Sequence, residues 1–141
     1  MLRQLLLGAI VSLGNIAIHA VAVTIVVDAA RLLASWDQRH TRLWLVAIMI
    51  AAVGTLLVTH VAEVITWSFA YWLLGVAPPG ADLLDLAFVN YTTLGYGDVV
   101  PVQHWRLLGP ITAMNGILLF GWSTAIIFEI LRTAMHMRKL S

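Results

Sequence analysis

Three long stretches of the chain carry almost nothing polar, and the two segments that join them differ sharply in character. From Gln4 to Val27 there is no Asp, Glu, Lys or Arg. A bilayer's hydrocarbon core is crossed by about 20 apolar residues wound as helix, so this run predicts a first span over about residues 5–33. A secretory signal would also start with a basic residue, here Arg3, and end on small residues such as Ala20-Val21-Ala22. The apolar run continues past that point to Val27, which argues for a span. A polar connection follows, with Asp28, Arg31, Trp36, Asp37, Gln38, Arg39, His40 and Arg42. A second run opens at Leu43, stays uncharged to Ala62 and overshoots through Glu63 to Leu74. Trp67, Tyr71 and Trp72 stand near its end, where an aromatic belt would meet the membrane surface, and a helix over 43–74 would protrude or tilt. The third run, Leu107 to Phe128 with Pro110 in its first turns, predicts a span over 107–133.

The second connection has structure of its own. Pro78-Pro79-Gly80 stops the second span, and Asp82 with Asp85 gives an acidic helix start, Asp82 being the expected N-cap. The helix this predicts, residues 83–91, is too short to cross a bilayer. A short apolar helix between two spans reads as re-entrant, a form tolerated where protein or a water-filled cavity surrounds the irregular backbone. Its negative dipole end would face whatever path lies there. It runs into Thr92-Thr93-Leu94-Gly95-Tyr96-Gly97-Asp98, whose alternate glycines tolerate the dihedrals needed to point successive carbonyls one way. Backbone carbonyls are what such a run offers, and a ring of carbonyls suits a dehydrated cation.

That heptapeptide, between a short helix and a span, resembles the selectivity filter of tetrameric potassium channels, with Leu94 where the usual form has Val. The resemblance covers the short helix, the filter and the following span. It implies an all-α membrane protein: three spans, a pore helix and filter loop between the second and third, assembled as a homotetramer around a central pore. It implies potassium ions held at Thr93, Leu94, Gly95 and Tyr96, with Gly97 above them. Thr92, Asn90 and Asp98 would support the filter, Asp98 bracing it from behind. An aromatic pair that clasps this acid in many members is replaced here by Asp85-Leu86-Ala87. The function implied is passive, potassium-selective conduction; a weakly selective cation channel and a non-conducting regulatory subunit are the alternatives. Because one chain holds one filter segment, a carbonyl ring needs identical subunits.

Composition narrows the field. A hydrophobic share of 61% and mean hydropathy of +0.92 exceed the apolar half of a soluble domain. Without cysteine there is neither a disulfide framework nor a thiolate metal site. A net charge of +1, with basic residues scattered at the span ends, offers nucleic acid no patch. Arg31, Arg39, Arg42, Arg132, Arg138 and Lys139 fall on one side of the spans, and Arg3 and Arg106 on the other. The positive-inside rule then sets the N-terminus outside and the C-terminus in the cytoplasm, in a plasma (cell inner) membrane. No arginine ladder, nucleotide fingerprint or further domain is expected, so 1–141 reads as one channel domain, with no cofactor beyond potassium and with the bilayer and identical subunits as partners.

The remaining chemistry lies in the spans. His19, His60 and Glu63 invite a metal-centre reading. Counted at about 1.5 Å per residue, His19 lies about 24 Å from Arg3 and His60 about 27 Å from Arg42. That places the histidines near opposite faces, unable to share an ion within one chain. His60 and Glu63 are expected to form a polar cluster behind the filter, which either tunes it or fixes how the second span docks. Asn15 and His19 should turn toward protein. Glu129 is either an acidic ring at the inner mouth or a partner of Arg132 one turn on. Gly116 and Gly121 are hinges or close-packing points. The sequon Asn90-Tyr91-Thr92 lies in the buried pore helix and is set aside, and Trp122, mid-span, is read as packing.

Overall fold

The computed structural model describes residues 1–36 and 42–140. Within them the chain forms four α-helices: α1 (Leu2–Trp36), α2 (Arg42–Leu74), α3 (Leu83–Tyr91) and α4 (Leu108–Leu140), with a single turn of 3₁₀ helix at Gln103–Trp105 before α4. No strand occurs among the described residues. Three helices are long and apolar enough to cross a membrane, over Leu2–Leu32, Leu43–Leu74 and Gln103–Thr133. Asp37 to Thr41 of the polar connection lie outside the described residues, so the orientation count rests in part on a residue, Arg39, about which the structure says nothing.

α1 and α2 pack together, α1 packs still more extensively on α4, and α3 is wedged between α2 and α4. The packing forms two apolar centres. One surrounds the short helix: Leu86, Ala87 and Tyr91 of α3 meet Val64, Trp67 and Tyr71 of α2 and Leu108 of α4. The other joins Val26, Ile48, Ala52 and Ile130 toward the opposite end of the three long helices. Much of each long helix stays uncovered in the single chain and carries Leu, Ile and Val outward, as a lipid-facing surface does. Threonines on the uncovered faces satisfy themselves: Thr55, Thr66 and Thr124 each donate to the carbonyl one turn earlier, at 2.9 Å in all three, so these three hydroxyls are not left bare whatever covers them.

α3 spans the residues its caps specify. Asp82 accepts from the Leu84 and Asp85 amides at 2.9 and 3.1 Å, as expected of the N-cap. At the other end the chain leaves the helix through a Schellman motif: the Leu94 amide reaches back to the Val89 carbonyl at 3.0 Å and the Thr93 amide to that of Asn90 at 3.1 Å. The motif demands a left-handed residue just past the cap, usually glycine. Here it is Thr93, at φ +62°.

The expected aromatic belt on α2 needs correction. Trp72 is exposed and stacks on Phe69, but Trp67 and Tyr71 are fully buried. Their polar atoms find partners across the bundle: Trp67 Nε1 donates to Asn115 Oδ1 at 2.9 Å, and the Tyr71 hydroxyl lies 2.7 Å from that of Thr112. An aromatic with a polar tip suits an interface or a core with one buried acceptor equally well. The acceptors decide, and they lie on α4.

Candidate functional site

The predicted filter run leaves α3 at the surface of the single chain. Thr92 to Asp98 are all exposed, Tyr96 71% so. Positive φ recurs at every second residue, Thr93 at +62°, Gly95 at +64° and Gly97 at +79°. Glycine adopts that region without penalty, whereas a β-branched residue there is strained by about 1–3 kcal/mol. Thr93 is held by the helix-terminal hydrogen bonds just described. Thr92 Oγ1 donates to the Phe88 carbonyl at 2.7 Å, fastening the last turn of α3.

Of the supporting residues, Asn90 donates through Nδ2 to the Tyr71 hydroxyl at 3.1 Å, and a Cβ at Gly109 would meet its Oδ1 at 3.4 Å. Asn90 thus ties α3 to α2 where α4 begins. Asp98 is exposed and accepts from the adjoining Val99 amide at 3.0 Å. Glu129 pairs with Arg132 at 3.3 Å on an exposed face. The glycines of α4 divide: a Cβ on Gly116 would run into the Tyr91 carbonyl, while one on Gly121 meets nothing within 4 Å. Close packing is the role of Gly116 and not, within this chain, of Gly121.

Behind α3 the structure assembles what the depth count separated. His60 Nδ1 lies 2.9 Å from Glu63 Oε2, as expected of neighbours one turn apart. His19 Nδ1 lies equally close, 2.9 Å, to Glu63 Oε1. The two imidazoles are 5.3 Å apart, and the ligand atoms of His19, His60 and Glu63 all fall within 4.8 Å of one another. The expectation of opposite faces was therefore wrong, because Arg3 and Arg42 do not mark the edges of the hydrocarbon core. Helices of 31 and 32 residues extend about 47 Å, some 8 Å past each face of a core about 30 Å thick. Removing that overhang from both counts brings the histidines within about 5 Å of one level.

Tyr91, the last residue of α3, completes the cluster from the side of the Thr92–Asp98 run. Its hydroxyl donates to Glu63 Oε2 and lies 2.9 Å from His60 Nδ1. Ser123 of α4 closes it opposite: its Oγ is 2.9 Å from His60 Nε2 and 3.3 Å from His19 Nε2. One layer toward α3's start, Asn15 Nδ2 donates to the Glu63 carbonyl at 3.2 Å and to Asn115 Oδ1 at 3.0 Å. Asn15, His19 and Glu63 are fully buried, so Asn15 and His19 do turn toward protein. Phe120 and Trp122 wall the rings, 4.7 Å from His60 and 5.2 Å from His19. Sequence reasoning missed Tyr91, Ser123 and Asn115; a tyrosine adjoining a suspected filter, one helix away from a buried acid, was the available signal.

The comparisons with known proteins bear on the half of the chain that carries His60, Glu63, Tyr91 and the Thr92–Asp98 run. Searches of curated proteins and of solved structures return no significant match. The family model for ion channels matches residues 59–133, which run from the turn of α2 carrying His60 and Glu63 through α3 and the Thr92–Asp98 run to the far end of the third span. With three membrane-grade helices around that match, the chain is a multi-pass membrane protein and belongs to the ion channel family.

Proposed function

We propose that the chain is one subunit of a homotetrameric, potassium-selective channel in which four copies of Thr93 to Gly97 close a carbonyl-lined filter. The observation that carries this reading is the left-handed backbone at every second residue of the run, Thr93, Gly95 and Gly97. It follows directly on the terminus of a short helix that two spans hold in place. Alternation of this kind turns successive carbonyls toward one side, and carbonyl oxygens replace a cation's hydration shell without placing a net charge in its path. Two features favour identical partners. The filter side chains Leu94 and Tyr96 are uncovered, and α4 carries an exposed stripe, Met114, Ile117, Gly121, Thr124 and Phe128, at helical spacing. In this reading the N-terminus is outside and α1 packs peripherally, fastened to the filter mouth where the Leu107 amide donates to Gln4 Oε1 at 2.9 Å.

Reconstitution into potassium-loaded vesicles under bi-ionic conditions tests the proposal. Potassium and rubidium should permeate and sodium should be largely excluded. Equal permeability of sodium and potassium would leave a weakly selective cation channel, and absence of any flux from correctly inserted protein would point to a regulatory subunit. Gly95→Ala places a side chain at φ +64°, so conduction should vanish while the protein still inserts. A conducting alanine variant would mean that this run is not the filter.

A further inference from the structure

We propose that His19, His60, Glu63 and Tyr91 form a binding site for a divalent transition metal ion of the zinc class, set in the membrane behind the pore helix. The inference does not depend on the chain being potassium-selective. Its first support is the donor set: two imidazoles, a carboxylate and a phenol from α1, α2 and α3, a nitrogen and oxygen set suited to zinc. Its second is spacing. His60 Nδ1, Glu63 Oε2 and the Tyr91 oxygen form a closed triangle, with His60 Nδ1 at 2.9 Å from each of the others, and His19 Nδ1 sits 2.9 Å from the second carboxylate oxygen. Bonds of about 2.0–2.1 Å in a tetrahedral site put neighbouring ligands about 3.3 Å apart. An ion therefore enters by opening the triangle, a few tenths of an ångström at the two His60 edges and further at the Glu63–Tyr91 edge, where the ion replaces the short hydrogen bond.

The third support is independent of the ligand atoms. A histidine that binds metal through one ring nitrogen is usually oriented by an acceptor at the other. Here both Nε2 atoms face the same Ser123 Oγ, at 2.9 and 3.3 Å. With the two Nε2–H groups donating to that oxygen, the His19 Nδ1 lone pair faces Glu63 and that of His60 faces Glu63 and Tyr91, so that either protons or a metal ion lies between them.

Charge decides what that can be. The site is walled by Phe120 and Trp122 and fully buried at His19 and Glu63, so a net charge there is expensive. A divalent ion is matched by two anions, the Glu63 carboxylate and the Tyr91 phenolate. Without metal, the same positions are neutral when protons occupy the edges of the network. Loading is then an exchange that balances, one divalent ion in and two protons out, with the metal bound to two neutral imidazoles, one carboxylate and one phenolate. Tyr91 is bonded in sequence to the first residue of the Thr92–Asp98 run, so the ion would join that end of α3 to α1 and α2.

The test uses purified, tag-free protein in detergent, stripped with chelator and dialysed against zinc or cobalt ions. One metal per chain is expected. The cobalt form should show the visible bands of a tetrahedral site, the ultraviolet difference spectrum should show one tyrosinate, and two protons should be released per ion bound. Tyr91→Phe should lower affinity at least tenfold and abolish the tyrosinate signal. Glu63→Gln and His19→Ala should each remove stoichiometric binding, whereas His104→Ala, outside the cluster, should leave it intact. No retained metal in the folded wild type, or the spectrum of an octahedral surface ion, overturns the site. Retention by Glu63→Gln would do the same, and tight binding with no tyrosinate removes Tyr91 from it. Should the variants fail to fold, wild-type stoichiometry and spectra still decide.

Discussion

Gly116 and Gly121 stand on the same helix, five residues apart, and offer a controlled measurement of how closely α3 is seated on α4. Replacing either by alanine removes a helix-interior glycine, a gain of about 1 kcal/mol. At Gly121 that is the whole effect within the chain, since the added carbon meets nothing within 4 Å. At Gly116 the carbon falls on the backbone carbonyl of Tyr91, which cannot rotate away as a flexible side chain would. α3 must back off from α4, and overpacking of this kind costs about 1–3 kcal/mol. The propensity gain cancels between the two variants, so their difference reads the packing term alone. Gly116→Ala should unfold at a temperature lower than Gly121→Ala by on the order of 3–10 °C, measured by thermal denaturation in one detergent. Ion flux should fall in Gly116→Ala as well, because the carbonyl that moves belongs to the residue preceding the Thr92–Asp98 run. Equal melting temperatures and equal flux would show that Gly116 is not a contact point and that the approach of α3 to α4 is looser than the structure has it.

Three further outcomes are expected. Thr93→Gly relieves a left-handed threonine at φ +62°, so the protein should become more stable by about 1 kcal/mol while conduction changes through loss of the hydroxyl; lower stability would show that the Schellman geometry is not what holds α3's end. Asn115→Leu strips the acceptor from Trp67 Nε1 and Asn15 Nδ2, and at about 0.6 kcal/mol per buried bond in a membrane a loss of about 1–2 kcal/mol should appear in unfolding; a neutral result would mean that water or another group takes over both donors. Cysteines placed along α1 should leave current unaltered by water-soluble thiol reagents from either side, and block at several consecutive turns would put α1 on the ion path.

What could be read from the chain, and what could not, divides along physical lines. The three spans follow from length and charge, quantities that neighbours cannot change. The start of α3 is written locally, in the Asp82 cap, and its end at Tyr91 is read from the glycine-bearing run that follows, since Thr93 is not a residue that announces a helix stop. The polar seam was legible only in part. His60 and Glu63 share a helix, so their pairing follows from spacing; His19, 44 positions from Glu63, could be placed only through depth, and depth failed because the helices overhang the core. Trp67 and Tyr71 were misplaced for a related reason, since nothing on α2 reveals that Asn115 and Thr112 wait opposite. Backbone strain at Thr93 leaves no mark in composition at all.

The seam also settles what kind of attachment α1 has. A span held only by apolar packing can slide or rotate in a bilayer at small cost, because lipid tails are as apolar as its neighbours. α1 is instead fixed at three levels. Near its start a Cβ on Gly8 would meet Ile111 side-chain carbons at 2.8 and 2.9 Å; further along Asn15 bonds to both α2 and α4; and His19 meets Glu63 of α2 and Ser123 of α4. Two of these are buried polar links, which lose their partners if α1 turns by one residue, about 100°, and hydrocarbon supplies no substitutes. Rotation of α1 is therefore coupled to α2 and α4 together, and any movement of α4 that opens a path must either carry α1 with it or break the bonds from Asn15 and His19. The residues matched by the ion channel family begin at Thr59, so α1 lies outside them, yet its polar side chains reach the same buried acid as Tyr91, at the end of α3.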